Sequence, residues 1–215
     1  MQKKTYAVLG LGRYGTAVAK ELVKSGMEVI AVDKNEQIVQ DSSAYLPICK
    51  CADITDHEVI SELGISNADV VIVAMASSLE GSILAITLCK EAGVKTVIAK
   101  CANETHRKIL KRVGADMVVF PENESGTRLA KNLLTSGFTD ILTLSDDLSL
   151  VELTARDEWV GKSLKELNLR KKYTVNVVAF RKSGKITAPV NPEELLDKDT
   201  ELIAIVNTSR LSKLK

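Results

Sequence analysis

A doubly wound parallel α/β sheet followed by a smaller α+β subdomain is the fold class this sequence predicts, and three observations predict it. Short apolar, β-branched runs alternate with amphipathic stretches between residues 6 and 135, the pattern of a parallel sheet covered on both faces. The first run is broken at once by Gly10, Gly12 and Gly15 in YAVLGLGRYG, residues 6–15. Beyond about residue 135 the alternation stops, and strands follow one another without full helices between them.

In chain order, residues 6–9 read as the first strand, and a helix follows over 16–25 with Ala17, Val18, Leu22 and Val23 at helical spacing. Strands are expected at 28–33, 48–51, 70–74, 96–100 and 117–120. Helices are expected at 35–44, 56–63, 79–92 and 104–113, with Gly26, Gly64, Gly93 and Gly114 as helix ends. Pro121 stops the sixth strand, and 122–135 forms a long amphipathic helix. In the second half, strands are expected at 141–144, 148–154 and 175–180, a hairpin tip at 181–185 leading into 185–188, a short helix at 192–196 and a last strand at 201–206. The boundary falls near residues 135–145, giving residues 1–137 as a Rossmann-like nucleotide-binding domain with its crossover helix and 138–215 as the C-terminal subdomain. The smaller piece, roughly 70 residues, is a poor independent folder, which favours docking or dimerisation.

Composition narrows the function classes. Lys plus Arg total 29 against 28 Asp plus Glu, so no global field favours nucleic acid, and an aromatic content of 4% leaves little for base stacking. The N-terminal MQKKTYAVLG lacks the apolar core of a signal peptide, and the run at 70–76 is too short to span a bilayer. A cytoplasmic location is expected, with Cys49, Cys51, Cys89 and Cys101 as reduced thiols and any membrane contact made through a partner.

The chemistry concentrates at the carboxyl ends of the first-half strands. Gly10 permits a tight turn, Gly12 lets a phosphate approach the backbone, and Gly15 lets the next helix pack close. That helix starts near Arg13 or Tyr14, with its N–H groups and positive dipole end toward the phosphate. Asp33 lies 18 residues after Gly15 and suits a ribose diol, which disfavours a 2′-phosphate and hence NADP. Asn35 follows it. Asp53 either accepts from an adenine amino group or serves as a turn cap. Ala74 opens the loop after the fourth strand. Arg13 either reaches a terminal phosphate or is an exposed helix-start residue. Lys100 ends the fifth strand, facing phosphate or an acidic partner. Glu122 either compensates a helix dipole or holds a divalent cation shared with phosphates. No catalytic residues are assigned. Cys49-Lys50-Cys51 lacks the further ligands of a zinc site, GxSxG is absent, and no tyrosine has a lysine four residues later. A ligand-binding regulator is therefore the leading class, and an NAD-dependent oxidoreductase is the alternative.

These motifs together resemble the RCK family, regulators of potassium conductance: GLGRYG (10–15), VDKN (32–35), ADIT (52–55), VAMAS (73–77), IAK (98–100) and RVGADMVVFPE (112–122). The second half continues the likeness with SLVEL (149–153) and GKSLKELNLRKKYTVNVVAF (161–180). The likeness is strongest to the cytosolic regulatory subunits of Ktr/Trk potassium uptake systems. The resemblance implies paired subunits assembled into an octameric ring on a separate membrane protein that conducts potassium. It also implies ATP, ADP, NAD or NADH as ligands. Carried over by residue, it makes Arg13 the phosphate arginine, Asp33 the ribose acid with Asn35 nearby, and Glu122 the ligand of a Mg or Ca ion at a dimer interface. It further implies cyclic di-AMP at the C-terminal subdomain, where Arg170, Val175, Asn176 and Pro192 occupy the comparable region. This chain has Thr174 after Tyr173, where relatives often carry glycine.

Overall fold

The computed structural model describes residues 4–134, 138–145 and 147–209. Its backbone divides into two compact units, Met1–Glu122 and Asn123–Lys215.

In the first unit, β1 (Thr5–Leu9), β2 (Glu28–Asp33), β3 (Ile48–Cys51), β4 (Val70–Val73), β5 (Thr96–Lys100) and β6 (Met117–Val119) form one sheet in the order β3-β2-β1-β4-β5-β6. Every pairing is parallel. The helices α1 (Arg13–Lys24), α2 (Glu36–Ser43), α3 (His57–Glu62), α4 (Leu79–Glu91) and α5 (Glu104–Val113) connect successive strands. The sequence VVIV of β4 is short and β-branched because it is covered on both faces: Val71 and Val73 belong to one apolar cluster with Ala7, Leu9, Val97 and Ala99, while Ile72 joins Val8, Val29 and Ala31 in another. The strand order reverses between β1 and β4. At such a switch point the loops leaving the strands diverge and open a crevice at the carboxyl edge.

Asp116 fastens the β5–β6 side. Its Oδ2 accepts from Val97 N and from Lys90 Nζ, each at 2.6 Å, so one carboxylate joins α4, β5 and the approach to β6. The lysine first, and then the Val97 amide, hold its pKa below the ordinary carboxylate value.

α6 (Pro121–Leu134) follows β6. In the second unit, β7 (Phe138–Thr143), β8 (Leu148–Thr154), β9 (Asn176–Lys182), β10 (Lys185–Thr187) and β11 (Glu201–Asn207) make an antiparallel sheet in the order β10-β9-β11-β8-β7. Val151, Leu153, Trp159, Phe180, Leu196, Leu202 and Val206 form its core. Arg181 grips Glu152 with two hydrogen bonds of 2.6 Å from the next strand but one. The hairpin predicted at 181–185 is present, with Ser183 (φ 49°) and Gly184 (φ 78°) as its two turn residues.

Several sequence expectations need correction. The helix expected at 192–196 is absent. Pro192 and Glu193 form a turn, Leu195 bridges Ser163, and Leu196 N donates to Lys162 O at 3.0 Å. These long-range bonds claim the backbone groups a helix would need. Two short helices went unrecognised, α7 (Leu164–Leu167) and α8 (Leu169–Tyr173). The strand expected from 141 begins at Phe138, and the one expected from 175 begins at Asn176 and continues to Lys182. The last residue of the expected 122–135 helix lies outside the described residues.

Candidate functional site

The loop from β1 into α1 is built around three glycines with different duties. Gly10 has φ 96°, and its N–H donates to Val32 O at 2.8 Å, so the chain turns sharply while staying tied to β2. A Cβ on Gly15 would lie 1.9 Å from Gly10 O and 3.1 Å from the Ala74 Cβ, so α1 touches the strand ends only because that residue is glycine. A Cβ on Gly12 would meet nothing within 4 Å. The space over Gly12 is therefore open, at the helix start where an anion binds. Gly12 is also the N-cap of α1 and offers no side chain to the first turn, whose N–H groups have no intrahelical acceptor.

Asp33, at the end of β2, faces this loop. Its Oδ2 accepts from Leu11 N at 2.7 Å and its Oδ1 from Asn35 N at 2.9 Å. A carboxylate has about four acceptor positions, so capacity remains for a diol. Asp53 lies after β3. Its Oδ1 accepts from Thr55 Oγ1 at 2.7 Å and Thr55 N at 3.0 Å, and these bonds hold its pKa below the usual range, the amide bond contributing most. On the far side, Ser78 caps α4 by accepting from Gly81 N, and Ser82 Oγ donates to Met75 O at 3.0 Å.

Between these walls is a cleft of about 510 Å³, within the range that holds nucleotide-sized ligands. Gly10, Gly12, Asp33, Asp53 and Ala74 line it, together with apolar Val32, Ile38, Ile54 and Leu84. The arrangement offers apolar walls for a flat ring, acids for hydroxyls or an amino group, and an uncapped helix start for phosphate.

Beyond the glycine loop stands a charged cluster. Lys100 Nζ is 2.6 Å from Glu122 Oε1 and 5.8 Å from the centre of the Tyr14 ring. The lysine chiefly, with Arg13 as a weaker contributor, holds the Glu122 carboxyl below its ordinary value.

The TrkA-N domain model matches residues 6–121, and the TrkA-C domain model matches residues 148–215. The chain is 35% identical over 213 residues to Ktr system potassium uptake protein C of Bacillus subtilis (strain 168), covering 99% of this chain and 96% of that protein. It is 33% identical to Ktr system potassium uptake protein A of Vibrio alginolyticus, covering 99% of this chain and 97% of the relative. This chain belongs to the TrkA/Ktr family of potassium uptake proteins. That is the family the sequence motifs resemble. Among solved structures, the GsuK channel shares the fold with a TM-score of 0.71 at 18% identity, over 99% of this chain and 39% of the channel chain. The same channel bound to NAD gives 0.67 at 18% identity, again over 99% of this chain and 39% of the other.

In this TrkA/Ktr chain the cleft gathers five of the sequence-predicted residues, Gly10, Gly12, Asp33, Asp53 and Ala74. Arg13, Tyr14, Lys100 and Glu122 belong to the charged cluster, and Gly15 serves packing. Asn35 is outside the cleft lining: its side-chain oxygen accepts from Gln37 N and Ile38 N as the cap of α2. Glu122 is the residue implied to hold a Mg or Ca ion, shared with phosphates, at a dimer interface. Among the described residues, no group of three His, Cys, Asp or Glu side chains is placed to hold a metal, and an ammonium already meets this carboxylate. Sequence reasoning placed Met75 and Ser78 only within the 74–78 loop after the fourth strand, and missed Gly81 and Leu84. The Ser78-x-x-Gly81 start of α4 was visible, but its approach to the glycine loop is made by the strand order.

The second unit of the TrkA/Ktr chain has a cavity of about 400 Å³. Arg170, Val175, Asn176 and Pro192, the four residues singled out in the sequence, all line it, beside Lys165 and Asn168. Thr174, next to it, has φ 59°, in the left-handed region where glycine is favoured.

Proposed function

We propose that this protein is a nucleotide-responsive regulatory subunit of a potassium uptake system. The observation that carries the proposal is the cleft at the β1/β4 switch point, with open space over Gly12 and the Asp33 carboxylate at its wall. The relatives' names, Ktr system potassium uptake proteins A and C, supply the process. Residues 1–137 bind ATP, ADP, NAD or NADH: Asp33 takes the ribose, Asp53 stands toward the base, and the α1 start with Arg13 takes the phosphates. Residues 138–215 form the C-terminal subdomain, whose cavity binds cyclic di-AMP through Arg170 and Asn176. The chain acts as a homo-oligomer on the cytoplasmic face of a potassium-conducting membrane partner. Among its described residues, no helix is long and apolar enough to cross a membrane. Binding regulates only if the ligand prefers one assembly geometry to another, since equal affinity for both shifts nothing.

The test is a thermal-shift panel of ATP, ADP, AMP, NAD, NADH and cyclic di-AMP. Upward shifts with at least one adenine nucleotide are expected, and no shift with any of them contradicts the proposal. An oxidoreductase is the rival class, and reproducible change in nicotinamide absorbance over a panel of candidate substrates would establish it instead.

A further inference from the structure

The thiols of β3 have no part in the nucleotide reading. We propose that Cys49 and Cys51 together hold one thiophilic monovalent ion, of the class of Cu(I), as a two-coordinate dithiolate. Its ligand is not the nucleotide, and the site stands whether or not the cleft binds one.

The strand sets the pair. β3 runs Ile48–Cys51, and residues two apart on a strand share a face, so both thiols leave it on the same side. That is the side of α2. The Cys49 thiol meets the Ser43 side chain at the end of α2, and Cys49 packs with Ile38 against the apolar cluster that includes Leu46. Cys51 Sγ donates to Lys34 O, just before α2, at 3.6 Å. β3 is also the edge of its sheet, next to β2. Cys51 is exposed and Cys49 partly buried, so an ion reaches the pair from solvent and is shielded from behind by α2. Cys89 and Cys101 are buried and offer it no accessible rival.

Spacing decides what the pair can do. Two residues of strand advance about 6.6 Å, and Cβ atoms on one face keep about that separation. A disulfide needs its Cβ atoms about 3.5–4.5 Å apart. A Cys49–Cys51 bond would therefore buckle β3 out of its register with β2, where Cys49 stands beside Ala31 and Cys51 beside Asp33. An ion spares that distortion. With metal–sulfur bonds of about 2.3 Å, two sulfurs on opposite sides of an ion are about 4.6 Å apart. Each sulfur then leans inward by only about 1 Å from its Cβ, and the strand stays as it is. The number of ligands chooses the ion. Structural zinc takes four, and among the described residues no group of three His, Cys, Asp or Glu side chains is placed to hold a metal. Soft thiolates select Cu(I), which two sulfurs satisfy. On loading, both thiols release their protons to solvent, two sulfur–copper bonds form and no electron is transferred. The thiols also give up their contacts with Lys34 O and Ser43, which are weak because sulfur is a poor hydrogen-bonding atom.

The test is anaerobic competition for Cu(I), kept reduced with ascorbate, between a chromogenic Cu(I) chelator and the full chain as wild type, Cys49→Ser and Cys51→Ser. Wild type should withdraw one ion per chain, and each variant should bind about 100-fold or more weakly. A tenfold excess of Zn(II) should leave the capture unchanged. X-ray absorption of the loaded wild type should show two sulfur neighbours around copper. Failure of wild type to capture the ion overturns the proposal. So does capture that survives in either variant, because one thiol, or thiols from two chains, would then suffice. Three or more ligands in the absorption spectrum, or displacement by zinc, overturns it as well. Thermal melts without copper confirm that the variants fold, and the stoichiometry and spectrum of wild type decide the case even where Cys49→Ser is unstable.

Discussion

The Asp33 carboxylate accepts the Leu11 amide at 2.7 Å, so the end of β2 holds the glycine loop in shape before any ligand arrives. The acid read from the sequence as a ribose anchor also positions the phosphate loop. Asp33→Ala should therefore lose on two counts. We expect adenine-nucleotide affinity to fall about 10-fold or more, and urea unfolding to show a loss of about 1–2 kcal/mol from the orphaned Leu11 amide. An unchanged affinity in calorimetry would remove Asp33 from the site.

Asp116 makes a pH prediction. Its folded pKa is lowered by Lys90 and the Val97 amide, so its contribution is present above the unfolded value of about 3.8 and is lost as pH falls through the lower, folded value. Asp116→Asn should cost about 1–2 kcal/mol at pH 7, the range for such bonds discounted for the side chain's partial exposure. The gap between wild type and variant should close in urea melts below about pH 4. A gap that stays constant down to pH 3 would show that the carboxylate's charge is not what matters.

Much of the first unit was legible because its signals are local. β2, β3, β5 and α5 were read to the residue, since β-branched runs bounded by turns and capped helices declare their own ends. The second unit was harder. α7 and α8 have four and five residues, too short for a helical period to show; the Ser163/Glu166 capping box announces α7, and no side-chain cap announces α8. The turn at Pro192 was misread because partners at Lys162, Ser163 and Lys165, distant in sequence, decide its conformation. The site divides the same way. The glycine loop and Asp33 carry their own spacing, whereas Met75 and Leu84 join the cleft only because β4 lies beside β1.

Thr174 explains a departure noted in the sequence. It sits at φ 59°, which is costly for a β-branched residue and free for glycine. Thr174→Gly should stabilise the second unit by about 0.5–1 kcal/mol in thermal melts, after allowance for the greater entropy glycine gives the unfolded chain. A loss of stability would show that the threonine side chain outweighs the backbone strain.

The four cysteines should react in an order set by burial. Cys51 is exposed; Cys89 is buried, and loss of solvation pushes its thiol up to about 12. Burial likewise raises the buried Cys101 and the partly buried Cys49. A colorimetric disulfide reagent at pH 8 should label Cys51 first and should reach Cys89 and Cys101 only with denaturant. Rapid labelling of all four in the folded protein would contradict this core.

The central claim is that a nucleotide phosphate lies over Gly12. Gly12 has an ordinary backbone, φ −63° and ψ −178°, and an added Cβ would meet no protein atom within 4 Å. Gly12→Ala should therefore fold normally and yet fill the phosphate's approach. Calorimetric titration of ATP and NAD into wild type and Gly12→Ala is the direct measurement. We predict saturable binding of at least one of them to wild type and a loss of about 10-fold or more in the variant, with an unchanged melting curve in the absence of ligand. Equal binding to both proteins would contradict the account.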